Sequence, residues 1–542
     1  MTLFEQILAA RGLSGDGRAA FLQPDYNTAK GDPFLLPDMQ KAVDRLKLAK
    51  QKSERIIIYG DYDIDGLSAT TLLLDAFTKF GFKEVGAFIP NRFVEGYGIT
   101  KGAVDKLHAR GCDLLVTVDT GSLCHEEIEY AASLRIDTIV TDHHNVAETP
   151  PPAVAVINPK FSGHKYPFKD LAGVGVAFKL VQAMQTQMEG LPPGHEKWLL
   201  DLVALGTVCD VVTLVGENRA NVYWGLEVLK KQRRPGLKAL MAVAGVEPKT
   251  INARALGFGL GPRMNAAGRL ETAQHALDML VAENPLEALE KAEYLDELNL
   301  RRKDIQNVIF DEALRQAESM ANDDVLVVSG KGWNHGVIGI VAAKLLERYK
   351  KPTYVLEEQE NGEAKGSARS FGEFSAADAI RAAEEVIIKG GGHAAAAGVT
   401  LKNEKIPHFR EKVNEYYRAQ DFKEQLQYLL PKADAQVLDF SEVTEELIRQ
   451  IARLEPFGNA NPEPVLQAQN MLIIGQRRMG VDGQHVKLRA QDAHKNTLEF
   501  LAFNAPDHFF KEPGEYTTLW FQPGINEWNG MRSVEGRLVH LE

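Results

Sequence analysis

Short apolar runs that end abruptly in polar or acidic residues dominate the first 160 positions. Residues 55–59 (RIIIY) lead into GDYDIDG, 114–118 (LLVTV) into Asp119, 138–141 (TIVT) into Asp142-His143-His144, and 153–157 (AVAVI) into NPK. These runs carry no alternation and no helical period, whereas the segments at 65–80 and 122–134 between them read as helices. Apolar β-branched runs separated by helices predict buried parallel strands of a doubly wound α/β domain. Ligands of such domains sit beyond the carboxyl ends of the strands, where the acids just named lie.

Further along, 165–280 reads as mostly helical, with an apolar stretch at 198–212 followed by the basic cluster KKQRRPGLK. From 285 to 320, Leu298, Ile305, Ile309, Ala313 and Ala317 recur at helical spacing with few breakers, which predicts a long helix connecting two bodies. A glycine-rich second α/β unit follows at 324–401, then a helical stretch at 403–430. The last section carries Asp482-Gly483 and Asn529-Gly530 turns and alternating runs such as HVKLRA and TLEFLAF, the pattern of a small β-barrel. The expected division is therefore an N-terminal segment at 1–50, an α/β domain at 51–284, a connecting helix at 285–320, a second α/β domain at 321–402, a helical connector at 403–430 and a barrel at 431–542.

Composition narrows the classes. The 542 residues are 44% hydrophobic and 25% charged, with no apolar run of membrane-spanning length and no basic-then-apolar leader. Three scattered cysteines, Cys112, Cys124 and Cys209, are too few for a disulfide framework or a thiolate zinc site and fit a cytoplasmic protein. A net charge of −12 excludes a uniformly basic nucleic-acid coat but leaves local patches open. It also fits carboxylates gathered around metal.

Asp61, Asp63 and Asp65 stand at alternate positions after the first strand, closed by Gly66. One such acid is more often a helix cap or a solvated loop residue. Three repel one another unless a cation neutralises them, and Asp119 and Asp142-His143-His144 mark two further strand ends. Asp210, inside the apolar LVALGTVCDVV, needs a partner for a buried charge. Carboxylate oxygens with one or two imidazoles suit Mn²⁺ or Mg²⁺ better than zinc, and so many carboxylates point to two ions.

In this order GDYDIDG, VDTG, DHH and GTVCDVV resemble the DHH phosphoesterase superfamily. PNRFVEGYGI, GPRMNAAGRL, GSARS, GGGHAAAAG and PFGNANPEP narrow the likeness to its single-strand-specific exonucleases. The resemblance implies two α/β lobes (a DHH catalytic lobe and a DHHA1-like lobe) joined by a long helix, plus a C-terminal OB-like barrel. It implies metal-dependent 5′-to-3′ degradation of single-stranded DNA in recombination and repair, with a single-strand-binding protein and a helicase as partners; a monomer is the default. It makes Asp63, Asp65, Asp119, His143 and Asp210 metal ligands, with Asp119 bridging. Asp61 and Asp142 become ligands or orienting residues, and His144 reaches the scissile phosphate. Arg92, Arg263, Asn265, Arg269, Ser367, Arg369, Gly391, Gly392 and His393 become substrate-binding, the last five on the second lobe facing the catalytic crevice.

A lone arginine is more often a surface ion-pair residue, but flanked by glycine and small residues, as in GSARS and GPRMNAAGR, the phosphate-binding reading overtakes that one. The glycines at 390–392 are expected to enter a helix of alanines with their N–H groups exposed to phosphate, or else to form a tight strand-to-helix turn capped by His393. His335, at the start of another predicted helix, fits either a structural or a functional role. Gly173-Val-Gly175 and Gly259-Leu-Gly261 lack the full dinucleotide pattern and are expected to serve helix packing. Near the C-terminus Arg477, Arg478, Lys487, Arg489 and Lys495 surround one predicted hairpin, with Phe500, Phe503 and Trp520 nearby, either a single-strand surface or a barrel core with a charged face. Thr120, Cys209 and Thr213 depart from the usual motifs without removing a ligand, and Cys209 beside Asp210 suggests sensitivity to oxidation. Two rivals remain: a DHH phosphoesterase of short oligonucleotides or cyclic dinucleotides, against which the extra C-terminal residues argue, and a non-catalytic DNA-binding scaffold, against which the complete ligand set argues.

Overall fold

Ile56–Gly60 (β1) is buried along its whole length, which its unbroken apolar run requires, and pairs in parallel with Val85–Phe88 (β2) on one side and Leu114–Val118 (β3) on the other. Asp137–Thr141 (β4) and Ala155–Ile157 (β5) complete an all-parallel sheet of order β2-β1-β3-β4-β5. In this computed structural model every residue is described except 97, 421, 423–427, 429 and 529. Tyr97 of the Arg92 motif, most of the last ten residues of the expected 403–430 connector and Asn529 of the expected turn thus lie outside the described residues. One face of the sheet packs Ile57, Tyr59 and Leu115 against Ala103, Leu107 and Ile128 of helices Lys101–Ala109 and His125–Ser133. The other face carries helices Ile64–Phe80 and Gly173–Gln187, with Leu200–Cys209 packed on both. β2, with only Phe88 buried, is the strand that periodicity missed.

The chain divides into two units, Met1–Gly261 with Pro431–Glu542, and Pro262–Leu430. In the second unit Leu326–Lys331 (β6), Thr353–Glu358 (β7), Glu363–Arg369 (β8), Ile387–Gly392 (β9) and Ala396–Lys402 (β10) form a sheet of order β6-β7-β8-β10-β9. Only β6 and β7 run parallel. The long helix forms as Pro285–Glu318 and sets Ile309, Ala313 and Ala317 against Val337, Ile338 and Val341 of helix His335–Tyr349. The expected helix of alanines after the glycines does not form. Gly390–Gly392 end β9 and the alanines begin β10, with Gly392 paired to Ala397 and Gly391 to Gly398. Strand pairing against β8 and the burial of Ala397 and Val399 override the helical preference of alanine.

The C-terminal residues of the first unit build the barrel. Ala435–Gln436 (β11) pairs with Leu466–Met479 (β12), and β12, His485–Gln491 (β13), Thr497–Ala502 (β14), Met531–Leu541 (β16) and Tyr516–Trp528 (β15) close into a ring through the β12–β15 pairing. The order 1-2-3-5-4 with a parallel β14–β16 contact is that of an OB-like barrel. Phe500 and Phe521 meet edge to face in its core at 5.0 Å. The first helix, Leu3–Ala10, belongs to this core: Leu3, Phe4, Ile7 and Leu8 pack with Leu447, Ile451 and Phe440. Ile7 is fully buried. Ile7→Ala is expected to destabilise the barrel by about 2–5 kcal/mol, read as earlier urea unfolding and faster proteolysis within 431–542.

A candidate metal centre at the strand ends

Three backbone amides continue the sheet ladder past the strands and aim the acids. Asp61 N–H donates to Val118 O at 3.4 Å, Asp119 N–H to Thr141 O at 3.0 Å and Asp142 N–H to Ile157 O at 3.0 Å. The strand order reverses between β1 and β3, so the crevice opens between Asp61 and Asp119, as the switch-point rule requires. Asp119 itself sits at φ +60°, a left-handed conformation that Asp tolerates better than most residues and that turns its carboxylate away from the strand direction.

Three sets of side chains converge closely enough to hold ions: Asp61, Asp63 and Asp119; Asp65, His143 and Asp210; and Asp119, His143 and His144, the ligand atoms of each set lying within 4.8 Å of one another. Asp119 and His143 each belong to two sets. His143 Nε2 lies 3.0 Å from Asp119 Oδ1, 3.5 Å from Asp210 Oδ2 and 3.8 Å from Asp65 Oδ2. Asp61 Oδ1, Asp119 Oδ1 and His143 Nε2 are buried and have no hydrogen-bond partner among the described residues, although buried polar atoms are nearly always satisfied. Burial holds the carboxyls up, and their mutual repulsion adds to it: Asp61 is pushed up to about 8, Asp65 to about 7 and Asp210 to about 9, and Asp119 well above its usual range. Burial also holds His143 neutral, down to about 3, so that a lone pair is available. Acids made costly to ionise beside a neutral imidazole fit a site for divalent cations.

The surrounding groups fix this geometry. Asp63 caps helix Ile64–Phe80, accepting from the amides of Asp65 and Gly66 at 2.9 and 3.1 Å. Asp65 in turn accepts from the amides of Gly173 and Val174 at 2.6 and 2.9 Å. Gly173 thus serves more than helix packing: a Cβ there would lie 2.6 Å from Asp119 Oδ1, so any side chain would invade the centre. Asp142 is fully engaged. Its Oδ1 accepts from the His143 and His144 amides and faces His144 Nδ1 at 2.9 Å, and its Oδ2 accepts from Ser122 N–H. Burial opposes the charge of Asp142, but the His144 contact outweighs it and holds the acid low; burial likewise would lower His144, and Asp142 outweighs it and raises the imidazole. Asn158, which periodicity placed only in a polar strand-end run, donates to Ser122 Oγ and His144 O at 2.9 and 3.0 Å.

Of the arginines, Arg92 stands at this centre, its guanidinium 4.4 Å over the ring of Tyr62, the residue between Asp61 and Asp63. The others lie in the second unit. Arg263 pairs with Asp296 at 2.8 Å, Arg269 donates to Gly336 O at 2.8 Å and Asn265 shares their helix, Gly261–Leu270. Arg369 donates to Ser367 Oγ at 3.1 Å and to Ala368 O, and among the described residues no carboxylate pairs with it. Gly391, Gly392 and His393 are exposed at the β9–β10 hairpin. His335 starts its helix behind the cap Asn334, with Nδ1 3.9 Å from Glu357. Burial pushes the Cys209 thiol up, with neighbouring acids adding to it, which keeps it protonated and a poor nucleophile. On the barrel Phe500 and Trp520 are buried, so neither is a stacking platform, whereas Phe503 is 63% exposed beside His485. Arg477, Arg478 and Arg489 are exposed along β12 and β13, and Lys487 pairs with Glu499 at 2.5 Å.

Comparison with known proteins agrees with this organisation. Residues 55–207 match the DHH family N-terminal domain, 322–419 the DHHA1 domain and 434–540 the RecJ OB domain. The chain is 38% identical over 538 residues to the single-stranded-DNA-specific exonuclease RecJ of Bacillus subtilis, covering 98% of this chain and 67% of that one. With the Escherichia coli protein of the same name it shares 35% identity, over 92% and 89% of the two chains. The crystal structure of RecJ from Thermus thermophilus in complex with Mn²⁺ superposes with a TM-score of 0.83 at 29% identity, over all of this chain and 78% of that one. A second structure, exonuclease RecJ bound to manganese, gives 0.63 at 34% identity over 72% and 97%. Among the described residues no helix is long and apolar enough to cross a membrane.

Proposed function

The chain belongs to the RecJ family of single-stranded-DNA-specific exonucleases, and from that premise we propose that it is a 5′-to-3′ exonuclease that hydrolyses single-stranded DNA to mononucleotides with two Mn²⁺ or Mg²⁺ ions. The observation that carries the reading is Asp119. It is buried, its Oδ1 has no hydrogen-bond partner among the described residues, and it belongs both to the Asp61–Asp63 set and to a histidine set, so this one carboxylate would take part in both candidate ion sites. Asp63, Asp65, Asp119, His143 and Asp210 hold the ions in this reading. Divalent cations held by these residues would supply a water of lowered pKa and positive charge beside the phosphate.

The chain's own residues divide the remaining work. Asp61 adds an oxygen beside Asp63 or orients the loop. Asp142, with both oxygens engaged, holds His144 through Nδ1 and favours its charged form, so that His144 meets an anionic phosphate oxygen as a donor. Arg92, stacked at the rim, offers a second donor fork. Arg369 with Ser367, Arg263, Asn265, Arg269 and the exposed Gly391-Gly392-His393 hairpin supply donors suited to DNA phosphates. The basic β12–β13 face with Phe503 supplies phosphate attraction and one stacking ring for the incoming strand. In the cell the protein acts as a cytoplasmic monomer downstream of a helicase and beside a single-strand-binding protein.

One long single-stranded DNA labelled separately at its 5′ and 3′ ends tests this. Immediate release of a labelled mononucleotide from the 5′ end, dependent on Mn²⁺, is the expected result. Release from the 3′ end first would overturn the polarity. Hydrolysis of dinucleotides alone would favour the small-substrate phosphoesterase, and binding without cleavage under either metal the scaffold.

A further inference from the structure

Asp210 caps the C-terminus of helix Leu200–Cys209, and just beyond it Val211 N–H reaches back to Val208 O at 3.3 Å. The next residue, Val211, sits at φ +61°. A β-branched residue in the left-handed region is a true outlier that persists only where its surroundings impose it. Burial does not impose it, because Val211 is 66% exposed. The Val208 contact holds only its N–H; its carbonyl is held from 248 positions further along the chain, where Asn459 Nδ2 donates to Val211 O at 2.9 Å. The backbone carbonyl of the same Asn459 accepts from Leu214 N–H at 2.7 Å. Asn459 therefore clasps the turn that follows Asp210 at both ends.

The clasp is itself anchored. Asn459 stands in PFGNANPEP, the run that leads into β12 of the barrel. Gly458 and Asn461 exchange backbone hydrogen bonds at 2.9 and 3.1 Å, and a Cβ at Gly458 would strike Leu214 Cδ1 at 2.6 Å. Asn461 Nδ2 donates to Leu454 O and Pro456 O, both at 2.9 Å, while its Oδ1 accepts from Arg11 Nη1 at 2.5 Å. Arg219 donates to the carbonyls of Leu454 and Glu455 at 3.2 and 2.6 Å. These contacts serve the fold of the strap. The amide of Asn459, on an exposed side chain, reaches instead to the turn after Asp210.

We infer that Asn459 is a positioning residue for metal binding: it holds Val211 in its left-handed conformation and thereby fixes the direction of the Asp210 carboxylate toward Asp65 and His143. The inference rests on the proposed role of Asp210 as a ligand and adds to it a dependence on the barrel's entry strap. Groups that orient metal ligands without touching the ion typically set affinity by about 10- to 100-fold.

The test compares the full chain with Asn459→Ala, Val211→Asn and the double variant, by Mn²⁺ titration followed by electron paramagnetic resonance and by steady-state cleavage of a single-stranded oligonucleotide. Asn459→Ala is expected to weaken Mn²⁺ binding about tenfold and to lower kcat, with KM for the oligonucleotide and the melting temperature unchanged. Asparagine accepts the left-handed region at little cost, so the Asn459→Ala defect is expected to shrink in the Val211→Asn background. Unchanged Mn²⁺ affinity, a raised KM with unchanged kcat, or an equal defect in both backgrounds each overturns the inference. If the parent chain itself binds no Mn²⁺ saturably, the reading of Asp210 as a ligand fails instead, and the two failures are thereby told apart.

Discussion

Asp119→Asn is expected to lower nucleotide release by about 10³-fold or more, a loss of some 4 kcal/mol of transition-state stabilisation, while raising the melting temperature of the metal-free protein. The substitution is nearly isosteric, and asparagine tolerates φ +60° as well as aspartate does, so the strand end keeps its shape. What changes is charge. Asp119 is buried, and Asp65, Asp63, Asp61 and Asp210 all oppose its ionisation, so a neutral amide relieves both the burial penalty and the repulsion. Function and stability thus move in opposite directions at one residue. Scanning calorimetry in EDTA and a single-turnover cleavage assay with Mn²⁺ check the two halves. A destabilised metal-free variant would show that Asp119 is kept for packing, and retained cleavage would remove it from the centre.

The second large effect is the exchange of protons for metal. Asp61, Asp65 and Asp210, with ordinary values of 3.8, are held up to about 8, 7 and 9 in the folded chain. An acid whose pKa rises on folding binds more protons folded than unfolded, so its contribution to stability is lost as pH climbs from about 4 toward those values. His144, raised on folding, acts in the same direction above its unfolded value near 6.5. His143, lowered to about 3, acts oppositely but below 6.5, and Asp142, held low, is level across this range. Between pH 6.5 and 8.0 the metal-free protein is therefore expected to lose stability. Mn²⁺ is expected to gain affinity over the same interval, because the proposed ligands deprotonate. The gap in melting temperature between protein with 1 mM Mn²⁺ and protein in EDTA should widen by roughly 5–10 °C from pH 6.5 to 8.0. A gap that narrows would mean that the acids are not titrating as a metal site.

Much of this centre was legible in the one-dimensional pattern. Strands buried on both faces cannot alternate, so their apolar runs stand out, and acids at their carboxyl ends are conspicuous because nothing apolar follows them. Asp61, Asp63, Asp65, Asp119, Asp142, His143 and His144 all fall at such ends, and Asp210 betrays itself as a charge inside an apolar stretch, at the end of helix Leu200–Cys209. The barrel announced itself through alternation and turn residues, and the 285–318 helix through its period. What failed was local propensity against pairing: the alanines after Gly392 read as a helix, but their partners on β8 and β9 make them a strand. β2 escaped because a half-exposed edge strand has no apolar run to show.

The sequence by itself determined which residues carry charge, where the strands end, and so which acids share one rim of the sheet; burial dictates those patterns residue by residue. Only the tertiary structure decided the rest. Asp142 faces His144 while Asp119 Oδ1 is left without a hydrogen-bond partner among the described residues, because neighbouring backbone amides reach one carboxylate and not the other. Leu3, Phe4, Ile7 and Leu8 complete a barrel more than 400 residues away, and Asn459 clasps the turn after Asp210 from across 248 positions. Such contacts depend on distances in space between residues remote along the chain, and hydrophobic periodicity, which reports only on near neighbours, contains no record of them.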